Sequence, residues 1–200
     1  MPSGEHYYIP DENSSSDDLA LGKVATQIST FSNNNGMYGA SNAVNGNINT
    51  FSHTYNPPTS GSWWQVDLGY PVEITSVVIV NRQDCSSCSP ERMNQFFIQL
   101  IDADGSTVVD QQFVTTAVAS DSKGTTYADW QENKMARFVK LYMPYKNTPA
   151  PDGSRGFLHM SAVKVFGNPF VANDQGFAYR ICKAADSSSD CETSGDIGKY

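Results

Sequence analysis

The chain has 200 residues, 39% of them hydrophobic, with ten Phe, ten Tyr and three Trp, which excludes a wholly disordered polymer and supplies one sizeable core. Charged residues make up only 17%, and the formal charge of −8 argues against nucleic acid, or an anionic membrane, as a partner held by bulk electrostatics. Six Leu stand against twenty-four Val plus Ile, a bias towards β-branched side chains that suit a pleated sheet better than a helix.

Residues 1–18 carry Glu5, Asp11, Glu12, Asp17 and Asp18 and no basic residue, and read as a mobile acidic leader. They lack the basic and apolar regions of a secretory signal, so either the chain is not exported or a signal has been removed. No apolar run reaches the length of a membrane-spanning helix. Residues 29–62 are rich in Asn, Gly, Ser and Thr, which tolerate positive φ and make turns; they read as a long ordered loop of the kind that carries function. Strand-like runs follow at 63–68, 72–80, 95–101, 107–114, 136–143 and 160–166, with Ala103-Asp104-Gly105-Ser106 as a hairpin turn. Short strands with turn signals and no helical pattern between them predict an all-β sandwich or jelly roll over 19–168, followed by an irregular extension over 169–200.

Four cysteines fall into two close pairs, which in an oxidising compartment read as local disulfides Cys85–Cys88 and Cys182–Cys191 and fit an extracellular or secreted protein. A zinc site made of all four is the weaker reading, because eight residues separate the second pair where a zinc ribbon has two to four. A redox Cys-x-x-Cys expects a βαβ setting, which the strand pattern does not provide.

The ordered runs Leu19-Ala20-Leu21-Gly22-Lys23-Val24-Ala25-Thr26-Gln27, Ala40-Ser41-Asn42-Ala43-Val44-Asn45-Gly46-Asn47 and Trp63-Trp64-Gln65-Val66-Asp67-Leu68-Gly69 resemble the F-type lectin (fucolectin) branch of discoidin-like domains. The closing runs 137–144 and 158–165 are similar to the family's last strands. The resemblance implies an eight-stranded β jelly roll that binds fucose-like sugars, as on fucosylated glycans, through loops at one end. Its sugar motif, a His, then Arg-x-Asp, then a basic residue, falls on His53, on Arg82 and Asp84, and on Arg92. The chemistry suits a sugar: a guanidinium offers a rigid fork of donors, an imidazole nitrogen donates or accepts, and Asp84 would hold an arginine in place. Without that ordered setting, Arg82, Asp84 and Arg92 also fit a surface ion-pair cluster. The family usually has two adjacent cysteines after the Asp; this chain has Cys85-Ser86-Ser87-Cys88, whose bridge would offer an apolar face to the ring.

The family's calcium site falls on Asn42, Asn45, Asn47, Thr50 and Ser161, but its two carboxylates are replaced by Asn45 and Ala162. Calcium affinity follows ligand charge, so the expectation is a degenerate site, weakly bound or empty, with the loop ordered by Asn side-chain hydrogen bonds. Two cysteines of the family are replaced by Phe51 and Ser161.

A non-catalytic lectin module is therefore the expected function, and an assembly subunit using the same fold for a protein partner is the alternative. Weak single sites favour a homo-oligomer on avidity grounds. An enzyme is disfavoured: Asp84 and Glu91 sit beside arginines, and His6, His53 and His159 lie in unrelated sequence contexts. Of Trp63 and Trp64, strand alternation sends one into the core.

Overall fold

The computed structural model describes residues 18–55, 59–84, 92–116, 118, 124–146, 156–172 and 178–180. In chain order come β1 (Val24–Gln27), a 3-10 turn (Phe31–Asn33), the single-turn helix α1 (Asn35–Tyr38) and a second 3-10 turn (Ala40–Ala43). These are followed by β2 (Ser52–His53), β3 (Ser62–Asn81), β4 (Phe96–Ile101), β5 (Val108–Val114), β6 (Thr125–Met143), β7 (His159–Ala172) and β8 (Ala178–Arg180). No helix among the described residues is long and apolar enough to cross a membrane.

All strand pairs are antiparallel, in the order β2-β7-β3-β6-β4-β5, with β1 added on β3 and β8 on β7. Two strands run through both halves of the sandwich. The first part of β3, Ser62 to Asp67, lies between β1 and the end of β6, and its second part, Val72 to Asn81, lies between the start of β6 and β7. The fold-over sits where Asp67 pairs with Phe138 but Val72 pairs with Ala136, so β3 carries extra residues around the corner. Gly69 supplies the positive φ that this corner needs (94°), and its N–H donates to Asp67 Oδ1 at 2.8 Å. Arg137 braces the same corner with a two-pronged bond, Nε and Nη2 to the two Asp67 oxygens, each at 2.8 Å.

Period-two alternation builds the core. Trp64, Val66 and Leu68 from one part of β3 and Ile74, Val77 and Ile79 from the other are buried together with Phe96, Ile98 and Leu100 of β4. Trp64 is the inward tryptophan, and its Nε1 donates to the Ala40 carbonyl at 3.0 Å, pinning the polar loop to the core. Trp63 faces outward at the head of a cross-strand aromatic row that continues through Tyr142, Phe97 and Phe113. Phe97 and Phe113 are 4.7 Å apart, and Lys140 Nζ lies 5.4 Å from the Trp63 ring. The expected hairpin joins β4 to β5, its turn held by Asp104, whose carboxylate accepts from Ser106 N, Thr107 N and Thr107 Oγ1 and is held well below the usual carboxylate range by those bonds, the Thr107 hydroxyl foremost.

Three strands are longer than their apolar runs. The runs 63–68 and 72–80 are one continuous strand, because the corner interrupts the alternation but not the ladder. β6 begins at Thr125, eleven residues before its apolar run, and Ala128 and Trp130 of that first part are buried. β7 passes through Gly167-Asn168-Pro169 to Ala172, and here glycine marks a close approach: a Cβ on Gly167 would lie 2.0 Å from the Glu73 carbonyl oxygen. Gly167→Ala must separate β7 from β3 and is expected to lower stability by about 1–3 kcal/mol, read as a fall in the urea midpoint at unchanged m-value.

Candidate functional site

The loop before β2 is polar, and side-chain amides hold it in shape. Asn34 Oδ1 caps Met37 N at 3.1 Å, and Gln27 Nε2 donates to Thr30 Oγ1 and to the Tyr38 carbonyl, both at 3.0 Å. Asn42 Nδ2 bridges the carbonyls of Met37 (2.9 Å) and Phe51 (3.2 Å). Asn45 Nδ2 donates to Thr50 Oγ1 at 2.9 Å while its Oδ1 accepts from Asn47 N at 2.8 Å, and Asn47 Oδ1 accepts from Asn49 N at 3.0 Å.

This lacing delivers Ser52 and His53 to the edge of β7, where they pair with Met160 and His159. The pairing is extended by Thr54, whose N–H donates to the Leu158 carbonyl at 2.9 Å and whose Oγ1 accepts from Leu158 N at 2.9 Å. His53 is 4% exposed, packed among Phe31 (ring centroids 4.8 Å apart), His159 (5.5 Å) and Phe157 (5.7 Å). Its Nδ1 faces the Thr54 carbonyl, which can only accept, so Nδ1 carries the proton and Nε2 keeps a lone pair.

Arg82 follows the last residue of β3. Asn81, itself buried, accepts from Arg82 N through Oδ1 (2.8 Å) and donates from Nδ2 to the Val118 carbonyl (2.8 Å), fixing how the chain leaves the strand. The Arg82 guanidinium lies 4.1 Å above the Phe51 ring and grips Asp84 with Nε on Oδ1 and Nη2 on Oδ2. That leaves Nη1 and one Nη2 proton for a ligand. The Arg82 bond holds the Asp84 carboxyl below its ordinary range, so it is no proton donor at neutral pH.

Burial depresses both histidines: His53 to about 4, with Arg82 and Arg92 adding to it, and His159 to about 3, with His53, Arg92 and Arg82 adding to it. His53, Arg82, Asp84 and Arg92 thus share one electrostatic neighbourhood. Cys85, Cys88, Cys182 and Cys191 lie outside the described residues. One expectation is corrected: His53 and His159 are not in unrelated contexts but are cross-strand partners with neighbouring rings. Sequence reasoning also missed Asn81 and the role of Phe51 as the platform under Arg82.

The positions matching the family's calcium site do not fit that ion. The oxygens of Asn45, Asn47 and Thr50 take part in the amide lacing, Asn42 and Asn45 present N–H groups to the surrounding oxygens, and Ser161 Oγ is buried without a partner. Among the described residues no three carboxylate, His or Cys groups gather as metal ligands.

Neutral buried histidines also set an acid limit on stability. Below the ordinary histidine value of about 6.5 the unfolded chain takes up protons that the folded chain refuses, so stability is full above that pH and falls as pH drops towards 4. The urea midpoint is expected to decline through this window with a limiting slope of about two protons. His159→Leu should roughly halve the slope, and an unchanged slope would contradict the burial argument.

The region 25–156 matches the F5/8 type C domain family. Fucolectin-6 of Anguilla japonica is 27% identical over 162 residues, spanning 79% of each chain. A Streptococcus pneumoniae fucose binding module is 26% identical with a TM-score of 0.59, over 78% of this chain and 98% of that one. An F-lectin (fucolectin) from the serum of striped bass, Morone saxatilis, is 26% identical with a TM-score of 0.58, over 76% of this chain and 49% of that one. With the antiparallel sandwich in place and well over half its length matched, the chain belongs to the F5/8 type C domain family.

Proposed function

We propose that this protein is a non-catalytic carbohydrate-binding lectin module that holds a fucose-type sugar of a glycan between His53, Arg82 and Arg92, outside the cell. The observation that carries the reading is the Arg82 guanidinium, laid on Phe51 and gripped by Asp84 with donors to spare beside a neutral imidazole acceptor. A polyhydroxyl ligand needs that mixture: ring and hydroxyl oxygens accept from the arginines, and a hydroxyl proton goes to His53 Nε2. Rigid placement of the fork lowers the ordering cost of binding. The similarity to a bacterial fucose binding module and to a serum fucolectin supports the sugar class and an extracellular setting.

A glycan array on the purified chain tests this, followed by titration of the best ligand. Arg82→Ala is expected to weaken that ligand at least about tenfold with the thermal midpoint little changed. A correctly folded wild-type chain that binds no glycan would instead favour the assembly-subunit reading.

We also propose that binding needs no calcium, since the amide lacing already orders the loop. EDTA should leave both the affinity and the thermal midpoint unchanged; a rise of several degrees on adding millimolar calcium would overturn this.

A further inference from the structure

A cleft of 300 Å³, at the small end of ligand clefts, opens where the turn at residues 18–22 meets β7, and none of its lining residues belongs to the Arg82 site. Small residues make the room. Ala162, Lys164 and Phe166 share the face of β7 turned away from the buried Val163 and Val165, and Ala162 puts only a methyl group on the floor. Ala43 and Val44 form a buried wall, and the bare backbone of Gly46 lies against Leu21, whose Cδ1 would stand 3.1 Å from a Cβ there. Leu21 and Ile48 complete the apolar lining while 45% and 36% exposed, so an apolar group placed between them would take both out of water.

Two charges of opposite sign stand at this cleft without meeting. Asp18 is fastened to the edge of β7: its Oδ1 accepts from Val165 N and from Ala20 N, each at 3.0 Å, and the next residue, Leu19, donates its N–H to the Val165 carbonyl at 2.8 Å. Those bonds fix the carboxylate and leave the Oδ2 lone pairs for a ligand. Burial holds the Asp18 carboxyl above its ordinary value, so a cation brought to it would relieve a cost already present. Lys164 acts on Asp18 through space, yet no ion pair joins the two among the described residues. The pair restricts what the cleft can hold. An anion would suit Lys164 and meet Asp18, and a cation would suit Asp18 and meet Lys164, whereas a zwitterion offers each its complement.

We infer that this cleft binds a small apolar zwitterion, an α-amino acid with an aliphatic side chain, its ammonium on Asp18 Oδ2, its carboxylate on Lys164 Nζ and its side chain among Leu21, Val44 and Ile48. The site is independent of the sugar reading, since it shares no residue with His53, Arg82 or Arg92.

Three forms of one side chain test this by isothermal titration into the full chain: L-leucine, its methyl ester, which keeps only the cation, and N-acetyl-L-leucine, which keeps only the anion. L-Leucine should bind with a Kd below about 1 mM, and each blocked form at least about tenfold more weakly. Lys164→Gln should weaken L-leucine about tenfold while leaving the methyl ester as tight or tighter. Asp18→Asn, which keeps the Oδ1 acceptor, should weaken L-leucine by a similar factor and spare N-acetyl-L-leucine. Lys164 lies on the outer face of its strand, so Lys164→Gln decides the matter even if Asp18→Asn loosens the turn. No binding of L-leucine up to about 10 mM would overturn the inference, as would blocked forms that bind as well as L-leucine does. A chain that sediments as a dimer, and that Ile48→Asp returns to a monomer, would also overturn it by giving the cleft to a second copy.

Discussion

Two residues of backbone pairing, Ser52 and His53 against Met160 and His159, fasten a long polar loop to the sandwich. Ala40, Ala43 and Val44 of that loop reach the core, and a polar segment of this length needs such apolar anchors to offset the entropy of ordering it. The anchor nearest the site is the cluster of Phe31, Tyr38, Phe51 and the His53 imidazole, gathered at the β7 edge. The order of the site follows from this anchoring. Phe51 precedes the pair and becomes the surface on which Arg82 rests. His53 is carried so far inside that burial keeps it neutral. The Phe51 carbonyl is tied through Asn42 to Met37, so the α1 turn is referred to the same anchor.

The electrostatics are set by depth more than by net charge. The chain carries −8, yet the site is organised around two arginines and two neutral imidazoles. A protonated histidine beneath Arg82 and Arg92 would concentrate positive charge in a dry environment, and desolvation and repulsion both act against it. Asp84 offsets part of the Arg82 charge and fixes its plane. What remains is a set of donors and one acceptor with little tendency to exchange protons, which suits recognition better than acid–base chemistry.

His53, Arg82-x-Asp84 and Arg92 could be picked out in the sequence only as an ordered set within a family resemblance, since their types alone also fit a surface ion-pair cluster, and the fold brings them into one electrostatic neighbourhood. The strands were legible where one face is apolar, as in Phe96–Ile101, and where a turn signal precedes a β-rich run, as in Val108–Val114. What stayed hidden depends on register across the sheet. His159 lies 106 positions after His53, and only the β2–β7 pairing makes them neighbours. The first part of β6 escaped notice because its alternation rests on Ala128 and Trp130 amid polar residues. Gly167-Asn168-Pro169 read as the end of the strand pattern, whereas the missing side chain of Gly167 is what lets β7 pass close to Glu73. Phe51 looked like a lost cysteine, and nothing local to it announces a guanidinium overhead.

The loop's reliance on asparagine has a physical logic of its own. A carboxylate at position 45 would offer acceptors only, to the Asn47 N–H and the Thr50 hydroxyl, and could give no proton back to Thr50. An amide is both donor and acceptor, so Asn45 can give its N–H to Thr50 and take one from Asn47, and the turn closes on itself. Asn42 does the same over a longer reach, supplying two protons where two carbonyls converge. The amides thus keep the walls of the site in place, because their hydrogen bonds join the same backbone groups that the loop must hold together.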